Sequence, residues 1–178
     1  MFIKSSVRGA FLLGIIMEKI LVSSCLLGAP VRYDGSGQQL LHPQLVTWQQ
    51  QGRIVAFCPE IAGGLSTPRD PAEIINGKVI TNIGDDVTTE FKLGAHKALQ
   101  LCQQHNIRFA LLKESSPSCG RNTIYDGSHS GIKVAGMGLT AALLTQHEIE
   151  VYSESQLTQL QVALRRCRGD IFNNKAES

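Results

Sequence analysis

Three of the five cysteines, Cys25, Cys58 and Cys119, sit beside residues that turn a chain: Leu-Leu-Gly28 follows Cys25, Pro59 follows Cys58, and Pro117 and Gly120 bracket Cys119. A bulky metal centre needs backbone that can bend around it, so these neighbours suit ligand loops. The separations of 33 residues (25 to 58) and 61 residues (58 to 119) match no local zinc or ferredoxin spacing, so convergence has to come from the fold. Three thiolates without a fourth favour a metal or cluster that keeps an open coordination position, and an open position means chemistry. Glu60, two residues after Cys58, and Ser115, Ser116 and Ser118, ahead of Cys119, would then share that rim with groups able to move protons. Each has a plainer reading, because a free Cys is often a small buried hydrophobe and a lone Glu or Ser in a loop is usually solvated or a cap. Cys102 lies on the apolar face of a helical pattern and reads as core, and Cys167 carries no assigned role.

Other chemistries meet the same residues. A phosphatase-like loop wants Arg six positions after its Cys, whereas the first Arg after Cys25 is Arg32, seven on. A cysteine-histidine nucleophile pair wants a histidine in a comparable loop, and of the five only His129 lies in one. A zinc-dependent hydrolase on the same thiolates also stays open, as does a protein that binds or senses sulfur on a cluster without turnover. The glycines form neither G-x-G-x-x-G nor a Walker A loop, so a dinucleotide or triphosphate site has no direct support.

The elements that must position these residues alternate. Lys19–Ser23, Arg53–Phe57, Ile107–Leu112 and Glu148–Tyr152 read as short buried strands. Leu40–Gln51, Val87–His105, Gly138–Gln146 and Ser153–Arg168 read as helices, the second with Asp85 or Asp86 as its cap. Lys78–Thr81 and the residues before Asp85 suggest a hairpin around Gly84, while Gly63 to Pro71 holds too many breakers for a regular element. Strands alternating with helices predict a compact single α/β domain, Rossmann-like, with a mainly parallel sheet and helices on both faces. Ligands of such sheets sit at the carboxyl ends of the strands, where Cys25, Cys58 and Cys119 all fall.

The chain's 178 residues, 43% hydrophobic and 18% charged, suit one folded domain, expected over residues 17–168 with a polar tail from 169 to 178. A net charge of +2, with Lys and Arg scattered, offers no stripe for long nucleic acid. Lys4 and Arg8 precede an apolar run of seven residues, Ala10 to Ile16, and Val22-Ser-Ser-Cys25 has the look of a lipobox. Glu18 and Lys19 interrupt what would have to be an unbroken apolar core, so residues 1–16 are read as a non-native or disordered arm, with Met17 as the start. No stretch reaches the roughly 18 apolar residues of a membrane span. Reduced thiols in a cytoplasmic protein are expected.

Six short motifs in order carry a resemblance. They are Ser24-Cys-Leu-Leu-Gly28, Val31-Arg-Tyr-Asp-Gly35, Cys58-Pro-Glu60 with Gly63-Gly64 and Thr67-Pro-Arg69, Lys113-Glu-Ser-Ser-Pro-Ser-Cys-Gly120, Ile124-Tyr-Asp-Gly127 and Gly138-Leu-Thr-Ala-Ala142. Together they resemble the thiouracil desulfidase family, over about Glu18 to Ser155. The resemblance implies a 4Fe-4S cluster on Cys25, Cys58 and Cys119, with an iron that lacks a protein ligand and takes the sulfur of 4-thiouracil. It also implies catalytic parts for Glu60 and Ser116. The reaction expected is non-redox: Glu60 deprotonates a water held with the help of Ser116, and uracil and sulfide are the products. The partner implied is a small thiolated nucleobase or nucleoside. Lys113 and Arg69 are open between orienting that substrate and forming ordinary ion pairs.

Overall fold

A computed structural model describes residues 17–173; the expected arm at residues 1–16 lies outside them, as do residues 174–178. In chain order the elements are β1 (Ile20–Ser23), α1 (Pro43–Gln50), β2 (Ile54–Phe57), the single turn α2 (Pro59–Ala62), β3 (Ala72–Ile75), β4 (Lys78–Thr81), α3 (Thr88–Gln104), β5 (Phe109–Leu112), β6 (Thr123–Tyr125), β7 (Lys133–Ala135), α4 (Leu139–Gln146), β8 (Glu150–Ser153) and α5 (Leu157–Asn173). Four strands form one parallel sheet in the order β2-β1-β5-β8. Side chains alternate across it. Ile20, Val22, Phe109 and Leu111 pack with Leu45 and Trp48 of α1 and with Leu157, Leu160 and Leu164 of α5. Leu21, Ala110 and Leu112 point the other way, into Ala98, Leu99 and Cys102 of α3 and Ala141 and Leu144 of α4. At about 1.5–3 kcal/mol for each fully buried large apolar side chain, these two layers are the main stabilising term. The mixed α/β architecture and the core placement of Cys102 agree with the sequence reading.

The strand order reverses direction at β1: the first crossover leads to β2 on one side, the next to β5 on the other. A crevice opens outside the carboxyl ends at such a reversal. In register, Ser23 stands beside Phe57, and Leu112 is level with Ser153, so the loops carrying all three cysteines leave one edge.

Five local expectations change. The hairpin pairs β4 with the preceding β3, not with residues near Gly84, because Asn76 and Gly77 both adopt positive φ (50° and 79°) and make the tight reversal that favours a two-residue loop. Only a single bridge, Ile80 to Asp86, remains on the other side. A second hairpin, β6–β7, was not expected, since strands of three half-exposed residues have no periodic signature. A helical turn, α2, follows Cys58 directly, with Pro59 at its first position where the missing N–H costs nothing. Helix α5 runs to Asn173, past Arg168, since residues 169–173 contain no proline to stop it. Neither Asp85 nor Asp86 caps α3: its N-cap is Val87, which makes no side-chain cap bond, and Asp86 stands one residue outside it with Oδ1 accepting from the Thr88 N–H at 3.1 Å.

Helix α3 and the turn α2 touch through glycine. A Cβ on Gly94 would lie 2.0 Å from the Pro59 carbonyl oxygen, and one on Gly63 would lie 2.0 Å from that of Glu90. Both clashes are with backbone, so neither can be relieved by a rotamer change. Gly94→Ala is therefore expected to force α2, and Cys58 with it, away from α3, lowering stability by about 1–3 kcal/mol despite alanine's better helix propensity. Urea unfolding of the variant beside the parent checks this.

Candidate functional site

The three thiols arrive by different local devices. Cys25 lies in a 3-10 turn, Ser24–Leu27, closed by Gly28 at φ 91°, and its carbonyl accepts from Gly28 N (3.1 Å) and Gln38 N (2.9 Å). Cys58 is the residue that opens α2, in extended conformation. Cys119 closes the loop after β5 and is buried, with Ser23 Oγ donating to its Sγ at 3.5 Å. The same hydroxyl accepts from Lys113 N at 3.0 Å, so Ser23 ties the end of β1 to the start of the Cys119 loop. Gly138 lets α4 approach that loop, since a Cβ there would meet the Ser118 carbonyl at 2.5 Å.

Glu60 and Ser116, 56 residues apart, are hydrogen bonded: Ser116 Oγ donates to Glu60 Oε1 at 3.2 Å. Ser116 Oγ also accepts from the N–H groups of Ser118 (3.0 Å) and Cys119 (3.1 Å), which folds the turn that presents Cys119. The other carboxylate oxygen, Oε2, accepts from Arg69 Nε (3.1 Å) and pairs with Arg69 Nη2. Arg69 also donates to the carbonyls of Val31 (3.1 Å) and Ser66 (2.9 Å), so one guanidinium joins the loops after β1 and α2. Both side chains are largely buried, at 10% and 16% exposure, where such a pair holds its geometry better than a surface ion pair. Arg69 is thus an ion-pair partner of Glu60. Lys113 likewise pairs with Glu154.

Glu114 is a positioning residue that sequence reasoning missed. Its Oε1 accepts from the N–H groups of Ser115 (3.2 Å), Arg121, Asn122 and Thr123 (3.0 Å each), and Oε2 accepts from Asn122 Nδ2 at 2.8 Å. Partial burial works to raise its pKa, but these bonds outweigh burial and hold the carboxyl at about 2. Ser23 was also missed; a small hydroxyl ending an apolar strand two residues before a candidate ligand is the signal that could have found it.

Cys25, Cys58, Cys119, Glu60 and Ser116 line one cavity of about 810 Å³ at the carboxyl edge of the sheet. Burial pushes the Cys25 thiol up to about 11, with the neighbouring Cys58 adding to it and Lys113 and Arg32 opposing. Burial also raises Cys58, against the Ile61 N–H, and Cys119, against the Ser23 hydroxyl, with Cys25 and Cys58 adding to the rise at Cys119. Crowded thiols of this kind resist ionising alone but ionise readily onto a cationic metal centre, so the donor set fits a thiolate-ligated one. Among the described residues no three His, Cys, Asp or Glu side chains are arranged around a single ion. Thiolates on a multi-iron centre each bind a different iron and need not converge on one point. Cys102 is in the core and Cys167, on α5, packs against the opposite core layer, and neither lines this cavity. His129 lines the cavity on the β6–β7 hairpin, with its Nδ1 3.8 Å from Glu73 Oε1. No described helix is long and apolar enough to cross a membrane.

The fold and this cavity define an α/β protein with a thiol-lined site at the carboxyl edge of a parallel sheet. Residues 20–156 match the family model described as 2-thiouracil desulfurase, and the chain belongs to that family. It is 43% identical over 151 residues to an uncharacterized protein, YbbK, of Bacillus subtilis (strain 168), covering 79% of this chain and 99% of the relative. Its structure is similar to that of a 4Fe-4S-dependent thiouracil desulfidase, TudS, at 55% identity and a TM-score of 0.82, covering 83% of this chain and 98% of that one. The resemblance read from the six motifs is borne out.

Glu114 generates a test of how the loop is held. Its folded pKa of about 2 lies below the ordinary 4.5, so its contribution to stability is present above about pH 4.5 and is lost as pH falls toward 2. In metal-free protein, Glu114→Gln should be less stable than the parent at pH 7 and converge with it by pH 2, as read by urea unfolding across that range.

Proposed function

We propose that this chain hydrolyses the carbon-sulfur bond of a thiouracil, with a 4Fe-4S cluster on Cys25, Cys58 and Cys119 and with Glu60 as the base. The observation that carries this reading is the meeting of three thiols from three sheet-end loops, two buried and Cys58 half-buried, with a carboxylate and a hydroxyl on one cavity wall. When bound, the cluster supplies a Lewis-acidic iron with a free position, soft enough to prefer the substrate's sulfur over its oxygen. The balance is simple: water replaces sulfur at the ring carbon, a carbonyl and hydrogen sulfide result, and no electrons are gained or lost.

The chain's own groups have separate tasks. Cys25, Cys58 and Cys119 would hold the cluster as thiolates. Lys113, Arg32 and Arg69 offset the negative charge that gathers there, each favouring the ionised form of a ligand thiol. Arg69 clamps Glu60 by Oε2, so Oε1 is the oxygen that faces Ser116 and retains a lone pair for the proton of water. Ser116 has its O–H on Glu60 and its lone pairs on two N–H groups, which makes it the residue that aims the base and shapes the Cys119 turn. Its three hydrogen bonds support this part beside the help in holding the water that the resemblance implies. The ring position of the sulfur and the choice between free base and nucleoside are read from assays of 2-thiouracil, 4-thiouracil and their nucleosides. Five free cysteines support a reducing, cytoplasmic setting.

Anaerobic reconstitution tests the ligand set. Cys25→Ser, Cys58→Ser and Cys119→Ser should each lose most of the iron and inorganic sulfide, while Cys102→Ala keeps them; full iron in Cys119→Ser would overturn the assignment. A second measurement separates base from ligand. Glu60→Gln should keep the cluster spectrum while sulfide release per cluster falls by roughly 10²–10⁴-fold. Wild-type turnover in that variant would remove Glu60 as the base.

A further inference from the structure

We infer that His129 Nε2 is the acceptor for a ring N–H of the thiolated pyrimidine and so orients the base within the cavity; this rests on the desulfuration reading above. His129 stands on the wall of the same cavity as Cys25 and Glu60. Its Nε2 is screened from solvent yet has no hydrogen-bond partner among the described residues. Buried polar atoms without partners are uncommon, because each has lost its water and gained nothing in return. A ligand that supplies the missing bond recovers that loss on binding.

The ring is placed by the protein. His129 has φ 55°, in the left-handed region, and its own N–H donates to Glu73 Oε2 at 3.1 Å. Gly127 N donates to the same oxygen at 2.9 Å, so the carboxylate is tied to the loop by its backbone. Glu73 is buried, and its second oxygen, Oε1, lies 3.8 Å from His129 Nδ1. Between the two tautomers of the imidazole, a carboxylate on that side selects the one with its proton on Nδ1, which leaves a lone pair on Nε2. A uracil-type lactam ring offers N–H donors at N1 and N3, so an unpartnered acceptor on a residue of the cavity wall matches it. A purely apolar wall would bind the ring without fixing which edge meets the cysteines.

The test uses the cluster-loaded protein, with 4-thiouracil and its N1-methyl and N3-methyl derivatives as substrates. For the parent, one of the two methyl derivatives should raise KM roughly 5- to 10-fold by removing the recognised N–H. His129→Phe keeps the ring and removes the acceptor; its KM for 4-thiouracil should rise by the same factor with kcat within about 2-fold, and its sensitivity to that methyl group should vanish. His129→Gln, which returns an acceptor oxygen, should restore part of the affinity. Thermal unfolding of His129→Phe without substrate should match or exceed the parent, because an atom reserved for a ligand holds nothing in the fold. An unchanged KM in His129→Phe, or an equal methyl penalty in it, overturns the assignment while leaving desulfuration intact. Failure of the parent to release sulfide from any thiouracil overturns the desulfuration reading itself, and His129's part with it.

Discussion

Parallel pairing of β1 with a strand on each side is the constraint on which the site depends. Parallel strands point their carboxyl ends the same way, so β1, β2 and β5 deliver their following loops to one edge. Cys25 and Cys58 come from loops that leave the sheet at once, and Cys119 from a longer one that returns. Antiparallel pairing at either interface would send one of the three to the opposite edge. The apolar layers on both faces enforce the pairing, since a one-residue slip of β1 would exchange Leu21 with Ile20 and Val22 between two differently shaped cores.

Arrangement at the edge is then a matter of charge and hydrogen bonds. Three thiols, two of them buried, and a carboxylate repel one another as anions, and the geometry supplies groups that counter this. Arg69 answers Glu60, Lys113 is held by Glu154, and the Ser23 hydroxyl serves the Cys119 sulfur. The same bonds do a second task, because Arg69, Ser116, Ser23 and Glu114 each join segments distant in sequence or fold the loop that carries Cys119. Stability and site geometry therefore share residues, and no substitution among them is neutral to both.

Legibility in the sequence followed the range of the interactions. The four sheet strands stand out because β1 and β5 are continuous apolar runs, and the cysteines stand out because each follows one of these runs within a loop rich in Gly or Pro. Asn76-Gly77 is a readable turn signal, but the breaker at Gly84 beyond Thr81 offers a competing one. The β6–β7 hairpin, which carries His129, left no trace in periodicity because its strands are short and partly exposed. Bonds such as Ser116 to Glu60 have no sequence pattern at all, and whether Arg69 meets a substrate or a carboxylate is decided only when loops 9 to 38 residues apart are brought together.

The placement of β1 also sets a timetable for a chain that leaves the ribosome from its amino end. Although first in sequence, β1 is an interior strand whose partner β5 follows after about 90 residues. At roughly 5–20 residues per second, the interval between the emergence of Cys25 and of Cys119 is on the order of 5–20 s. Through that interval Cys25, joined about a third of the way by Cys58, is carried on a nascent chain that lacks its central sheet. The protein is thus vulnerable to oxidation and stray metals before it can fold, and conditions during synthesis bear on how much of it reaches a competent form.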